Sequence, residues 1–175
     1  MSPVDIRRIA PTDWALLREM RLASLTDAPE AFGQRYENAA SEPEAEWRSA
    51  ARASSSGDRR AWFIARRGEG AAARDVGLVQ ARRRPPGDCL LFSMWVAPAA
   101  RRSGAGRLLV NAVAAWAAGW GGKRVVLWVF GANEGALRFY QRLGFKLLPE
   151  GPDAESGRSF GALAMELPIG PAASA

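Results

Sequence analysis

The chain has no histidine, one cysteine and only two lysines among its 24 basic residues. Each shortage removes a class of chemistry. Without imidazole there is no Ser-His-Asp or Cys-His nucleophilic site. Imidazole metal ligation goes with it, and one cysteine cannot make a zinc site. Cys89 also has no partner for an intramolecular disulfide. Proton transfer in any enzyme built on this chain must therefore use carboxylates, tyrosine, backbone or water. Apolar runs are short, and none approaches the ~20 residues of a membrane helix. The N-terminal "MSPVDIRRIAP" carries Asp5, Arg7 and Arg8 where a signal segment would be apolar. These absences together lead to the expectation of a soluble, cytoplasmic protein with no membrane partner and no bound metal.

What is present suits a globular domain. The 175 residues are enough for one sizeable core, and 48% hydrophobic with 24% charged residues is a globular balance. The net charge of +6 is carried almost wholly by arginine. Its planar fork suits phosphate and carboxylate, although a solvated basic surface explains the same charge. A nucleic-acid partner is not expected. No helix shows a basic face interleaved with base-reading residues, and the arginine-rich "QARRRPPG" is a short turn.

Periodicity divides the chain into alternating elements. "VDIRRIA" (4–10) alternates as a strand that Pro11 stops, and Thr12 is placed to cap a following helix. In that helix Leu16, Leu17, Met20 and Ala23 share a face. Pro29 breaks it. Ser41 and Glu44 stand at capping-box spacing before a second helix over 41–54, with Pro43 in its first turn. Strands are predicted at 61–67 and 76–82, then a turn at 83–88. The nearly continuous apolar run 89–97 reads as a strand buried on both faces. Leu109, Val113, Trp116 and Trp120 recur at helical spacing, so a helix runs from about Gly104 to Ala118. A strand at 124–130, a helix at 133–144 and two final strands, "FKLLP" and "FGALAMELP", complete the order. The strand-helix-strand centre implies a parallel pair joined by a right-handed crossover, and the hairpins before it imply an antiparallel half. The expected architecture is one α/β domain over residues 1–168: a mixed sheet of about seven strands with helices on both faces. Residues 169–175 read as a loose tail.

"MWVAPAARRSGAGRLL" (94–109) concentrates the chemistry. A helix starting here exposes unpaired N–H groups and a partial positive charge. Gly104 and Gly106 let a backbone approach a ligand closely, and Arg101, Arg102 and Arg107 add charge. The stretch suits phosphate or pyrophosphate, with a plain strand-to-helix turn as the competing reading. It is no Walker loop, because the only Gly-Lys pair, Gly122-Lys123, is followed by Arg124. It is no dinucleotide fingerprint, because Leu109 stands where a third glycine would be.

Arg101-x-x-Gly104-x-Gly106, preceded by "VAP" and followed by "RLL", resembles the acyl-CoA-binding signature of the GNAT superfamily of N-acetyltransferases. "NEGALRFYQRLGF" (133–145) is similar to that family's second signature. Asn133, Ala136, Phe139, Tyr140, Gly144 and Phe145 match it, and one strand separates the two segments. The resemblance is specific over residues 76–148, and the "DAPEAFG" loop shares a weaker likeness.

The resemblance implies a cofactor cleft where strands 89–97 and 124–130 splay apart. A bulge near Ser93–Trp95 would part them, freeing backbone groups at Met94 and Val96 for the pantetheine arm of acetyl-CoA. The Val96 N–H, or a neighbour, would polarise the thioester carbonyl. The amides from Arg102 through Arg107, spanning Ser103, Gly104, Ala105 and Gly106, would hold the pyrophosphate beside Arg101. Asn133 and Phe139 would flank the pantetheine arm, and Tyr140 would lie near the sulfur. A phenol (reference pKa ~10) can donate a proton to a departing thiolate (~8.5). Phe32 and Tyr36 would line the acceptor side, with Trp128 a weaker candidate. Glu30 and Glu37 could act as bases through water, although solvated surface carboxylates are the plainer reading of both. The implied reaction is direct transfer of an acetyl group from acetyl-CoA to a primary amine of a small molecule in a ternary complex. A peptide or protein amine, or a non-catalytic acyl-CoA-binding domain, remains an alternative. The residues select neither acceptor nor general base, and a homodimer stays open.

Overall fold

The computed structural model of the chain describes residues 3–148 and 162–170. Its first elements are β1 (Val4–Arg8), α1 (Trp14–Asp27), α2 (Tyr36–Ser41), α3 (Glu44–Ser54), β2 (Arg60–Arg67) and β3 (Arg74–Arg84). There follow β4 (Asp88–Val96), α4 (Ala105–Gly119), β5 (Arg124–Phe130), α5 (Glu134–Arg142), β6 (Lys146–Leu147) and β7 (Ala162–Pro168). The strands form one sheet in the order β1-β2-β3-β4-β5-β7-β6. β1 through β4 run antiparallel in sequence, β4 and β5 are parallel, and β7 lies antiparallel between β5 and β6. This is the expected mixed seven-stranded architecture. The parallel pair arises because α4 carries the chain across the sheet between β4 and β5.

Alternation along the strands feeds two cores. Phe63, Val79, Cys89, Leu91, Val125 and Leu127 pack with Leu109 and Val113 of α4 and with Tyr140 of α5. Trp62, Ile64 and Leu78 point the other way and pack with Leu17, Met20 and Leu25 of α1 and Trp47 of α3. β2 is buried from Ala61 to Ala65 because both layers cover it.

Several local expectations are corrected. Pro11–Asp13 form a 3-10 turn, Thr12 lies inside it, and no side chain caps the start of α1, whose N-cap is Asp13. The Asp13 carboxylate accepts the Ala10 N–H at 2.7 Å and pairs with Arg7 at 2.5 Å. Ala23 is exposed, and the inward face of α1 is Leu17, Met20, Arg21, Ser24 and Leu25. Ser41 and Glu44 form no capping box. The Ser41 hydroxyl donates to the Asn38 carbonyl, closing α2, a helix that the apolar pattern does not announce. β4 is fully buried only at Cys89 and Leu91, because its second half leaves β5 and lines a cleft. The "FKLLP" strand is confined to Lys146–Leu147 among the described residues. The expected separator at 150–159 and residues 171–175 of the expected 169–175 tail lie outside the described residues, while the Ile169 N–H donates to the Lys123 carbonyl at 2.8 Å.

Candidate functional site

The parallel pair is short. β4 and β5 are in register only at Asp88–Arg124, Cys89–Val125 and Leu90–Val126. Arg124 closes that end. Its guanidinium donates to both Asp88 oxygens, at 2.7 and 3.2 Å, and to Glu166 of β7 at 2.7 Å. Beyond Leu90 the strands separate, and β4 is bulged against β3 just above that point. Leu78 pairs with Trp95 and Gln80 with Phe92, so Val79 faces both Ser93 and Met94. This bulge coincides with a left-handed Ser93, φ 51°. The Ala97 N–H donates to Val76 on the β3 side at 2.8 Å. Alternation therefore turns the N–H groups of Val96 and Met94 toward the gap.

Past β4 the chain turns into α4 through Gly104, whose φ of 90° favours a residue without Cβ. Gly106 is required by a close approach: a Cβ there would meet Phe139 Cζ at 3.0 Å and Met94 Cε at 3.4 Å. The helix start, α5 and the bulged strand thus converge at one point. The first backbone bond of α4 runs from Leu108 to Gly104, leaving earlier amides outside the helical ladder. Two of these are taken: the Ser103 N–H donates to Ala100 at 3.3 Å, and the Ala105 N–H reaches the Ser103 hydroxyl at 3.4 Å. Arg102, Gly104, Gly106 and Arg107 keep N–H groups with no partner among the described residues. Arg102 and Arg107 are exposed and form no ion pair there. The Arg101 side chain is otherwise engaged. It donates to Asp27 at the end of α1 and to the Val96 carbonyl, while Trp95 Nε1 donates to the same Asp27 at 2.9 Å.

On α5, the Asn133 carboxamide oxygen accepts the Ala136 N–H at 3.0 Å and caps the helix. Its amide nitrogen is not used in that cap. Phe139 and Phe145 meet the Tyr140 ring edge-to-face at 5.1 and 5.3 Å. Tyr140 is buried, and its hydroxyl forms no hydrogen bond among the described residues. Burial raises its pKa, so the phenol holds its proton at neutral pH. Burial also pushes the Cys89 thiol up to about 12, against a backbone hydrogen bond from Arg82. Cys89 is therefore no thiolate nucleophile.

Met94, Asn133 and Tyr140 line one cleft of about 840 Å³ together with Phe32, Phe92 and Trp128. Phe92 and Trp128 stack across the gap with ring centroids 6.2 Å apart. Val96, Phe139 and the 101–107 loop do not line this cleft. Tyr36 is also outside its wall, with 43% of its surface exposed. Glu30 and Glu37 are exposed and off the wall, whose one carboxylate is Glu42. Glu42 accepts from Gln34 Nε2 at 2.9 Å, and Gln34 Oε1 accepts from the Arg21 Nε and Nη2 atoms at 3.2 and 3.1 Å. Arg21 also lies over the Phe32 ring, 4.6 Å from its centroid. Burial lowers its pKa to about 10, partly opposed by Glu42. The Arg21–Gln34–Glu42 cluster is absent from the sequence reading. Its one legible signal is a charge at 21, four residues from Leu17 and from Leu25 on the inward face of α1. No group of three or more His, Cys, Asp or Glu side chains that could hold a metal occurs among the described residues, and no helix among them is long and apolar enough to cross a membrane.

A sequence model of the Acetyltransferase (GNAT) family matches residues 19–145. No curated protein matches the chain in sequence. Solved structures match over nearly the whole fold. A GNAT-family acetyltransferase from Streptococcus pneumoniae is 21% identical, with a TM-score of 0.74 over 96% of this chain and 100% of that one. The ribosomal-protein-S18-alanine N-acetyltransferase from Escherichia coli is 20% identical, with a TM-score of 0.63 over 98% and 97%. NAA60 from Arabidopsis thaliana, solved with a bisubstrate analogue, is 20% identical, with a TM-score of 0.65 over 96% and 100%.

Proposed function

The chain belongs to the GNAT acetyltransferase family, whose members are acyl-CoA-dependent N-acetyltransferases, and from that premise we propose that it moves an acetyl group from acetyl-CoA to the primary amine of a small molecule. The observation that carries the proposal is the opening of β4 from β5 beside the uncapped start of α4. A peptide amine is the second reading, favoured by the likeness to the ribosomal-protein enzyme. The small-molecule reading is preferred because aromatic rings and the Arg21 cluster wall the cleft on the side of α1.

In this reading the free amides of Arg102, Gly104, Gly106 and Arg107 bind the pyrophosphate, where the positive end of α4 adds to their effect. Arg101 acts at one remove, tying the loop to α1 through Asp27. The Met94 and Val96 N–H groups pair with the pantetheine arm as an added strand would. The one turned toward the carbonyl stabilises negative charge as it develops on oxygen. The Asn133 amide nitrogen donates near the same arm, and Phe139 packs beside it. The neutral amine nitrogen attacks the thioester carbon, so a C–N bond forms and the C–S bond breaks. The sulfur leaves with the electron pair and takes the Tyr140 proton. The proton shed by the amine is returned through water. Phe32 borders the acceptor, and Tyr36 lies at the outer edge of that side. The buried Cys89, whose thiol burial keeps protonated, supports direct transfer over an acyl-enzyme.

Calorimetry with acetyl-CoA, followed by thiol release over a panel of amines, tests the proposal. Micromolar binding and amine-dependent thiol release are expected. Gly104→Glu should weaken acetyl-CoA binding by about a hundredfold, since it places an anion and a strained left-handed backbone at the helix start. Unchanged affinity in that variant would remove the loop from its role.

A further inference from the structure

The acceptor end of the cleft carries a buried guanidinium that forms no ion pair among the described residues. Arg21 is 6% exposed, yet every group bonded to it is neutral: Gln34 Oε1 and the Ser24 hydroxyl, the latter at 3.2 Å from Nη1. It has no ion pair among the described residues, because Glu42 is bonded to Gln34 instead. A guanidinium has five N–H groups. Three point at Gln34 and Ser24, which leaves one on each terminal nitrogen, the number that a carboxylate accepts two-pronged. Buried charges are ordinarily paired.

A second observation points the same way. Trp47 and Trp62 also line the cleft, at 5% and 6% exposure, and each has an indole N–H buried without an acceptor. Buried donors are almost always satisfied. The two indole N–H groups lie just behind the wall that Arg21 lines, so donors exceed acceptors on this side, where Glu42 is the one carboxylate of the lining among the described residues. Arg60 adds positive charge to the same lining.

We propose that the acceptor is an amine that also carries a carboxylate, and that Arg21 binds this carboxylate while the amine faces the acetyl donor. The inference rests on the N-acetyltransferase reading and narrows its substrate to amino-acid-like molecules. Phe32, held under Arg21, and the stacked Phe92 and Trp128 give the remaining wall an aromatic character suited to an apolar side chain. Arg21 is then a specificity residue: it touches the substrate away from the reacting atoms. A carboxylate is favoured over a phosphate monoester because Glu42 stands in the same cluster and would repel a second negative charge.

The test compares phenylalanine, phenylalaninamide, phenethylamine and phosphoethanolamine, by calorimetry on protein saturated with acetyl-CoA's product, coenzyme A, and by thiol release with acetyl-CoA. Phenylalanine should bind about ten- to a hundredfold more tightly than its amide and than phenethylamine. Arg21→Met should bring that ratio close to one. Arg21→Lys, which keeps the charge and loses the fork, should leave an intermediate ratio, and it decides the matter if Arg21→Met does not fold. The wild-type ratio needs no variant at all. Equal or weaker binding of phenylalanine overturns the inference, and so does a preference for phosphoethanolamine or a ratio unmoved in both variants. If carboxylate-dependent binding is found but no amine releases thiol, the inference holds and the acetyltransferase reading fails. If amines without a carboxylate are acetylated best, the reverse is true.

Discussion

At the scale of single residues, the site depends on which protons the fold holds in place. Tyr140 is sequestered, its hydroxyl has no hydrogen bond among the described residues, and burial favours its neutral form. That combination suits an acid that gives up its proton only to a stronger base arising beside it. It also separates chemistry from stability. Tyr140→Phe removes no hydrogen bond and leaves the ring contacts with Phe139 and Phe145 in place. We expect kcat to fall about a hundredfold while Tm stays within about 2 °C of the parent, measured by thiol release and by thermal melting. Unchanged kcat would take Tyr140 out of the reaction. The pair Asp13 and Thr12 teaches the converse lesson about reading residues. Both are acceptable caps by type, yet neither side chain caps α1, because Thr12 lies in the preceding turn and the Asp13 carboxylate is taken by the Ala10 N–H and by Arg7 arriving from β1.

At the scale of elements, α5 gives one residue two tasks. The oxygen of Asn133 caps the helix, and its nitrogen remains for the cleft that the residue lines. Two substitutions separate these tasks. Asn133→Ala should cost about 1 kcal/mol of stability through loss of the cap, and should weaken acetyl-CoA binding as well. Asn133→Asp keeps a good cap, so stability should be nearly unchanged, while binding weakens about tenfold through loss of the N–H donors and gain of an anion. Chemical denaturation and calorimetry read the two effects independently. Equal acetyl-CoA affinity in Asn133→Asp and the parent would confine Asn133 to capping. The start of α4 was legible in the sequence because its requirements are local: a left-handed Gly104 and a Gly106 small enough for Phe139. The capping box expected at Ser41 and Glu44 had the right spacing, yet a turn of helix that no apolar periodicity marks took Ser41 for its own end.

At the scale of the whole molecule, the cleft is a sheet held shut at one end and open at the other. Arg124 joins β4, β5 and β7 where the parallel pairing persists, through Asp88 and Glu166. The bulge opposite Val79 lies just above the point where the strands separate. Arg124→Met leaves both carboxylates without their cation. Because the guanidinium is a third exposed, the loss is modest, about 1–2 kcal/mol, or about 2–8 °C in Tm. About 1 M salt should narrow the difference between variant and parent, since a partly exposed pair is screened. A melting temperature unaffected by the substitution would show that the clip contributes nothing.

By itself the amino-acid order determined most of the elements, the mixed sheet with its parallel pair, and the two signature segments that identify the family. These depend on the period of apolar residues and on glycines whose backbone demands are local. Tertiary structure alone decided the acceptor wall. Arg21, Gln34 and Glu42 come from α1, the following loop and the turn before α3, and Trp62 comes from β2. No local period relates them. They meet because two helical layers pack on opposite faces of a sheet that opens between β4 and β5. A lone arginine on an inward helical face acquires its meaning only from what the fold fails to put beside it.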